Sequence, residues 1–416
     1  MMFELKPRRN IAFVVTLFCA TSTYALAQTN NVVLENVSVA VKDKGATVFK
    51  RIEVTNTNLT KDELAKLFSG AASKDDAAAL IKKMKADKIS IPEAVFTDKD
   101  STFTFRDFLA TGVNEGKVAN AVLKSVDGTG KSKGGSVTFK AGALELQGLG
   151  FGSAISAMTG GDLTDGSAQI GKMSFAGFQM TMPDDDTKAD APGGNLIKIS
   201  LASLTAESTY DGEIPLKGKG EAKGLVIEPP KNSEFGKSLA SFGYDKITVG
   251  FVASGNYDKT KKTYDLDNFT ISGVNAGAVG MKILLGGIEP SVFSANKEAK
   301  LMGLMGGDVS SFSLRFDNAG LFEKGVDFTA KQQKKSPDAL KKEWSAMATQ
   351  FLPLILGGDP ASLKLAEAAA KFIATPKNIT ISIKSKGAPL KFVELMQIRD
   401  PNALLKLVNI DAVAGQ

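Results

Sequence analysis

The chain has 416 residues, 51 Lys and Arg against 45 Asp and Glu, 43% apolar residues, one cysteine and no histidine. Acid–base and metal chemistry that depends on imidazole is excluded, and so is any disulfide within the chain. A net charge of +6 spread over this length is no nucleic-acid footprint.

Residues 1–27 change character twice: basic Lys6, Arg8 and Arg9, an apolar run over 11–20, then small residues closing on Ala25-Leu26-Ala27 before Gln28. That order is the grammar of a cleavable secretory signal peptide, with cleavage expected after Ala27. The run is too short to span a bilayer comfortably, and no later segment reaches the roughly 18 apolar residues a membrane helix needs. Cys19 lies inside the segment, so the exported chain is expected to be periplasmic, free of cysteine and without a transmembrane segment. Leu17 and Phe18 ahead of Cys19 argue against a lipid anchor there.

Residues 36–58 then read as two strands around a Lys-Asp-Lys-Gly turn, the second carrying Phe49, Ile52 and Val54. Thr60 to Glu63 is a capping box that opens a helix bearing Leu64, Leu67 and Phe68, and Ser73 opens a second with Leu80, Ile81 and Met84.

An internal duplication follows. Residues 102–118, TFTFRDFLATGVNEGKV, align without a gap on 263–279, TYDLDNFTISGVNAGAV, with seven identities in seventeen positions. Upstream, Asp87-Lys88-Ile89-Ser90-Ile91 answers Asp245-Lys246-Ile247-Thr248-Val249. Phe103 and Phe105 alternate at spacing two, as do Tyr264 and Leu266; the next apolar residues, Phe108 and Phe269, come three on. One extra residue at the same place in each copy predicts a β-bulge that bends the strand. Gly112, Val113, Asn114 and Gly116 recur as Gly273, Val274, Asn275 and Gly277, a repeat signature whose glycines and asparagines suit tight, left-handed turns.

Several strings resemble chemical motifs without their context. SVDGTGKS at 125–132 has Ser where a phosphate-binding loop has Gly, and a strand rather than a helix is expected after it, so it reads as a basic hairpin turn. Ser294 and Lys297 have a Ser-x-x-Lys spacing without companion motifs. Asp184, Asp185, Asp186 and Asp190 lack the ordered oxygens, glycine and closing Glu of a calcium loop. Hairpin-like segments are read at 134–151, 212–227 and 311–328. Ser336-Pro337 opens a helix with Leu340, Trp344, Met347, Phe351 and Leu354 on one face, and Asp359-Pro360 opens another.

The expectation is an α+β, β-rich protein: repeated bulged β-hairpins form a curved antiparallel sheet partly covered by amphipathic helices, with a helical hairpin near the C-terminus. Its parts are the signal peptide (1–27), a β-rich repeat region with a helical pair near 60–86 (28–235), and a second repeat copy with the helical hairpin (236–416). No catalytic, metal or cofactor set is read. The expected function is non-enzymatic binding of an apolar or amphiphilic envelope molecule such as lipid, because a sheet roofed by helices makes apolar clefts. The alternative is an envelope scaffold acting through a protein partner.

Overall fold

The computed structural model describes residues 30–41, 45–132, 134–150, 169–184, 194–212, 214–294, 296–358, 360–398 and 401–415. The expected signal segment with Cys19, and Asp185, Asp186 and Asp190, lie outside the described residues. The chain is strand-rich and its strands pair antiparallel throughout; it divides into two compact units between Pro183 and Asp184. No helix among the described residues is long and apolar enough to cross a membrane.

Unit 1 is a meander of β1 (Asn30–Val41), β2 (Gly45–Thr57), β3 (Lys85–Thr97), β4 (Ser101–Asn114) and β5 (Lys117–Ser132). Next to β5 runs one long strand interrupted at Gly142 and Ala143, whose halves are β6 (Gly135–Ala141) and β7 (Leu144–Gly150). β8 (Gln169–Phe175) and β9 (Phe178–Pro183) repeat this arrangement outside it. The hairpin expected over 134–151 is therefore absent. Gly142 does not turn the chain; its N–H donates to Gly177 O at 2.9 Å, and Ala176 N–H donates to Ala143 O at 2.8 Å, so pairing continues across the gap.

Burial along these strands advances in alternating steps of two and three. The inward residues are Thr47 and Phe49, then Ile52 and Val54, then Thr57 in β2; in β3 they are Ala86, then Ile89 and Ile91, then Ala94 and Phe96. At each step of three, two consecutive residues face outward. Such a slip in one strand would put all later side chains on the wrong face relative to its neighbours. Here β2 to β5 slip at the same heights, so the pairing of β2 with β3, β3 with β4 and β4 with β5 runs without a register shift, while β1 follows at the first slip only and its pairing with β2 shifts between Asn30 and Val32. One seam passes Asn36, Lys50-Arg51, Pro92-Glu93, Arg106-Asp107, Lys124-Ser125, Gly142-Ala143 and Ala176-Gly177, and a second lies five residues away. Left-handed backbone at Asn36, Asn56, Asp107, Gly112, Gly148 and Gly177 takes up the extra residue. These residue types tolerate that conformation best.

The bulge expected in β4 is thus an in-register slip shared with its neighbours. In β14 (Thr263–Gly273) it is a true inserted residue, since pairing shifts between Leu266 and Phe269 on one side and opposite Ser254 and Asn256 on the other.

Two helices cover part of unit 1's inner face. α1 (Lys61–Phe68) has the Thr60–Glu63 capping box, and Ser73 caps α2 (Lys74–Ile81). Leu64, Leu67, Phe68 and Ile81 join Val32, Ile52, Val54 and Ile89 in one core, each buried side chain of this size contributing about 1.5–3 kcal/mol.

Unit 2 is a second meander. β10 (Leu196–Leu201) and β11 (Ser203–Asp211) share the partner β12 (Ile214–Glu228), followed by β13 (Ile247–Asp258), β14, β15 (Gly277–Gly286), β16 (Asp308–Asn318), β17 (Asn378–Ser385) and β19 (Val408–Ala414). The short β18 (Leu390–Lys391) pairs with the start of β16. α3 (Glu234–Ser241) joins β12 to β13, and a 3-10 turn (Pro290–Phe293) with α4 (Lys297–Met305) joins β15 to β16. α5 (Leu321–Gln333), α6 (Pro337–Ile355) and α7 (Pro360–Ala374) lie between β16 and β17, and α8 (Phe392–Gln397) and α9 (Pro401–Leu407) precede β19.

Two further expected hairpins are corrected here. Residues 214–228 are a single strand, the turn being at Gly212, and 311–328 is a strand followed by a helix. Asn318 makes that change: its Oδ1 accepts from Gly320 and Phe322 N–H, ending β16 and opening α5. Val326, Ala330 and Leu340 are then buried between α5 and α6, with Phe322 and Trp344 against them.

Glu63 gives the fold a pH dependence. Partial burial works against its charge, but the Thr60 N–H at 2.8 Å, the Lys83 ammonium at 3.1 Å and the Thr60 hydroxyl outweigh this and hold its carboxyl below the ordinary range. A lowered carboxyl stabilises the fold above its unfolded value of about 4.3 and ceases to as pH falls. Urea unfolding of Glu63→Gln should therefore show a loss of about 1 kcal/mol at neutral pH that shrinks toward pH 3. A pH-independent difference would exclude the carboxylate as its source.

Candidate functional site: an apolar trough beneath the first seam of unit 1

Where two consecutive residues turn outward in every strand, the inner face lacks a row of side chains. From β1 to β5 polar side chains line the outer side of the first seam and pair across strands: Lys50 with Glu93 at 2.5 Å, Arg51 with Glu35 at 2.6 Å, Lys124 with Asp107 at 3.0 Å, and Arg106 with Asp127. The inner side is left as a trough between the flanking apolar rows, Ile91 and Ala94, Phe105 and Phe108, Leu123 and Val126, Ala141 and Leu144.

Two cavities lie along it. One of about 40 Å³ is lined by Phe49, Ile91, Ala94, Phe108, Ala121 and Leu146 among others; the next, of about 140 Å³, by Phe96, Phe103, Val126, Phe139, Ala141, Gly142 and Phe175. Phe105, Leu123 and Leu144 belong to both and divide them. Toward the larger cavity the aromatic rings form a ladder across the strands: Phe96 to Phe103 at 6.5 Å, Phe103 to Phe139 at 6.3 Å, Phe139 to Phe178 at 5.8 Å and Phe178 to Phe175 at 6.5 Å. These separations favour edge-on and offset contacts that hold the rings in place. Among the described residues no charged or amide side chain lines either cavity. The arrangement can desolvate hydrocarbon and offers no chemistry to a polar group.

Residues 125–132, expected to form a turn, are instead the second half of β5. Gly128 is an inward position whose missing side chain is replaced by the Phe103 ring; a Cβ there would lie 2.5 Å from two ring carbons. The glycine that suggested a loop is a place where a ring lies on the strand.

The repeat signature residues line neither cavity. Glu115 and Gly116, both left-handed, form the two-residue turn of the β4–β5 hairpin, closed by the pair Asn114 and Lys117. Such a turn matches the twist of the strands it joins. In the second copy the connection is longer: Gly273 pairs with Gly277, Asn275 is left-handed, and its carbonyl accepts from the Tyr244 hydroxyl at 2.8 Å. Val113 is buried and Val274 is 60% exposed, so the same signature serves two environments. Gly112 is left-handed, and its absent side chain would stand 2.7 Å from the Ala119 Cβ.

The Ser-x-x-Lys string does not assemble. Ser294 accepts from Asn296 N–H, and Lys297 begins α4 after the Asn296 cap, so the two do not share a helical turn. Among the described residues no three acidic or Cys side chains gather as metal ligands.

Unit 2 has a wider, more open groove of about 330 Å³, floored by Gly218, Gly220 and Gly255 and bordered by Tyr257, Tyr264, Leu266 and Phe293. Tyr257 is buried and donates to Ile288 O at 2.8 Å. Burial, then the nearby Asp267 charge, pushes the Tyr264 hydroxyl up, so it stays protonated at neutral pH.

A family model described as "Uncharacterized protein" matches residues 270–415, a span confined to unit 2 that excludes the trough. No curated protein matches the chain.

Replacing Gly128 by Ala should displace the Phe103 ring and destabilise the protein by about 1–3 kcal/mol, the range for overfilling a packed site. Combining it with Phe103→Leu should recover part of that loss in urea unfolding, a coupling that independent residues would not show.

Proposed function

We propose that this is an exported, periplasmic, non-enzymatic protein that binds the hydrocarbon part of a lipid or similar amphiphile in the unit 1 trough. The observation that carries the reading is the trough's lining of carbon side chains beneath a continuous, in-register sheet. In this reading the duplicated segments are repeats of one bulged hairpin, the seams curve the sheet, and the helices roof part of its inner face. Each methylene moved from water to such a lining contributes about 0.8 kcal/mol, so roughly eight of them offer about 6 kcal/mol before the cost of ordering the ligand. The polar end of the ligand has no partner in the trough and stays in water. The export reading rests on the basic, apolar and small-residue order of residues 1–27, and the binding rather than catalytic reading on a chain without histidine and a lining that among the described residues carries no acid, base or nucleophile.

One observation favours an envelope scaffold with a protein partner as the second reading. The apolar stripe of α6 begins under α5 at Leu340 but continues past it, leaving Met347, Phe351, Leu354 and Ile355 exposed. Crosslinking in cells from this stripe should then trap one reproducible partner.

The primary reading is tested by native mass spectrometry of the protein purified from its own periplasm, followed by organic extraction. A bound mass that extracts as lipid is expected, and Leu123→Trp, which puts a larger ring where the two cavities meet, should lose it while remaining folded. An unliganded chain, or a Trp variant with undiminished lipid, would end the trough reading.

A further inference from the structure

One end of the unit 2 sheet is built differently from the rest. Gly286 pairs with Asp308 and Ser385 with Val408, so the connections holding α4 and α8–α9 emerge at that same end. α4 is arranged inside out. Its protein side is Gly303, whose Cβ would stand 2.4 Å from Ser291 Oγ and 2.9 Å from a Val292 methyl carbon in the preceding 3-10 turn. Its outer side carries Leu301, Met302, Leu304 and Met305, with Leu301 58% and Met302 72% exposed. A helix facing water normally buries its large apolar residues and shows polar ones. Just past α4, Gly307 O accepts from Phe392 N–H, and α8 adds Met396, 71% exposed.

The charge around this apolar surface is predominantly basic. Among the described residues, 384–406 hold Lys384, Lys386, Lys391 and Lys406 against Glu394, and α4 holds Lys297 and Lys300 against Glu298. Among the described residues Lys297, Lys300, Lys391 and Lys406 form no ion pair, whereas most basic side chains of β10–β14 and their turns do: Lys198, Lys219, Lys223, Lys259, Lys261 and Lys262 each meet a carboxylate. Exposed Leu and Met beside uncompensated lysines complement an anionic lipid surface in both respects. The side chains suit the acyl boundary, and the ammonium groups suit the phosphates above it.

We propose that this end of unit 2 docks reversibly on an anionic bilayer, with Leu301, Met302, Leu304 and Met305 entering the acyl boundary and Lys297, Lys300, Lys391 and Lys406 meeting the headgroups. The inference stands on unit 2 alone and does not require a ligand in the trough. Apolar insertion and basic attraction are each marginal as anchors; together they give binding that salt reverses.

Flotation of the full chain with phosphatidylcholine vesicles, with and without phosphatidylglycerol, tests it. Binding is expected on the anionic vesicles and should weaken with salt. Leu301→Gln/Met302→Gln should weaken it about tenfold or more, and Lys297→Gln/Lys300→Gln should weaken it on anionic vesicles only. Lys297, Leu301 and Met302 are exposed and Lys300 is half-buried, so unfolding temperatures should stay close to the parent's. Leu123→Trp should float normally, which separates this proposal from the trough reading. Failure of the parent chain to bind anionic vesicles, or equal binding by the Leu301/Met302 variant, would overturn it. So would a variant that changes the self-association of the chain and not its partition, because the patch would then be a contact between copies.

Discussion

The constraint on which unit 1 depends is that neighbouring strands keep hydrogen-bonded register while each departs from strict alternation. Backbone pairing of buried strands cannot be given up cheaply, because an unpaired buried N–H or C=O costs about 1–3 kcal/mol. A slip in a single strand must therefore be absorbed as a bulge, as in β14, whereas a slip taken by every strand at one height leaves the ladder whole. The seams of unit 1 are the second solution. Their left-handed Asn, Asp and Gly residues are its local condition, and the outward polar doublets follow from it. The inner trough is the same event seen from the other side.

The two units use their apolar residues differently. In unit 1 the large side chains turn inward beneath α1 and α2 or into the trough, with Ile52, Leu64, Ile81 and Ile89 almost fully enclosed. In unit 2 the strands are mostly half-buried, and much of the apolar surface sits on helices. α5 encloses only the first half of the α6 stripe, and α7 packs Phe372 between Phe316 and Phe322, at 5.7 and 5.1 Å. A unit that leaves Leu, Met and Phe outward on short helices gives up some of the free energy of burial. That loss is intelligible where the outside is not always water.

What the sequence makes legible is what local rules decide. Thr60 to Glu63, Ser73 and Ser336-Pro337 announce their helices because a cap acts within four residues. The three-residue step from Phe105 to Phe108 is equally visible. Its meaning is not, because whether a slip is a bulge or part of a seam depends on strands far away in sequence. Gly128, Gly142 and Gly212 show the same limit: as residue types they are alike, yet one receives an aromatic ring, one interrupts a strand without turning it, and one makes a turn. The helix α5 was open to discovery, since Phe322, Val326 and Ala330 recur every four residues, but alternation in the preceding strand masks the change of period. Of the trough, Phe103, Phe105 and Phe108 can be singled out in advance. That they converge with Phe139 and Leu144 is a property of register alone.

The trough runs across the strands and not along them, which separates two dimensions that are tied together in most binding clefts. Its existence comes from the slip, and the side chains that flank it set its bore, from about 40 Å³ in one cavity to about 140 Å³ in the next. Its length comes from how many strands are crossed, at about 4.8 Å each. A lineage that duplicated one hairpin within such a sheet would lengthen the groove by about 10 Å and leave the rows already paired unchanged.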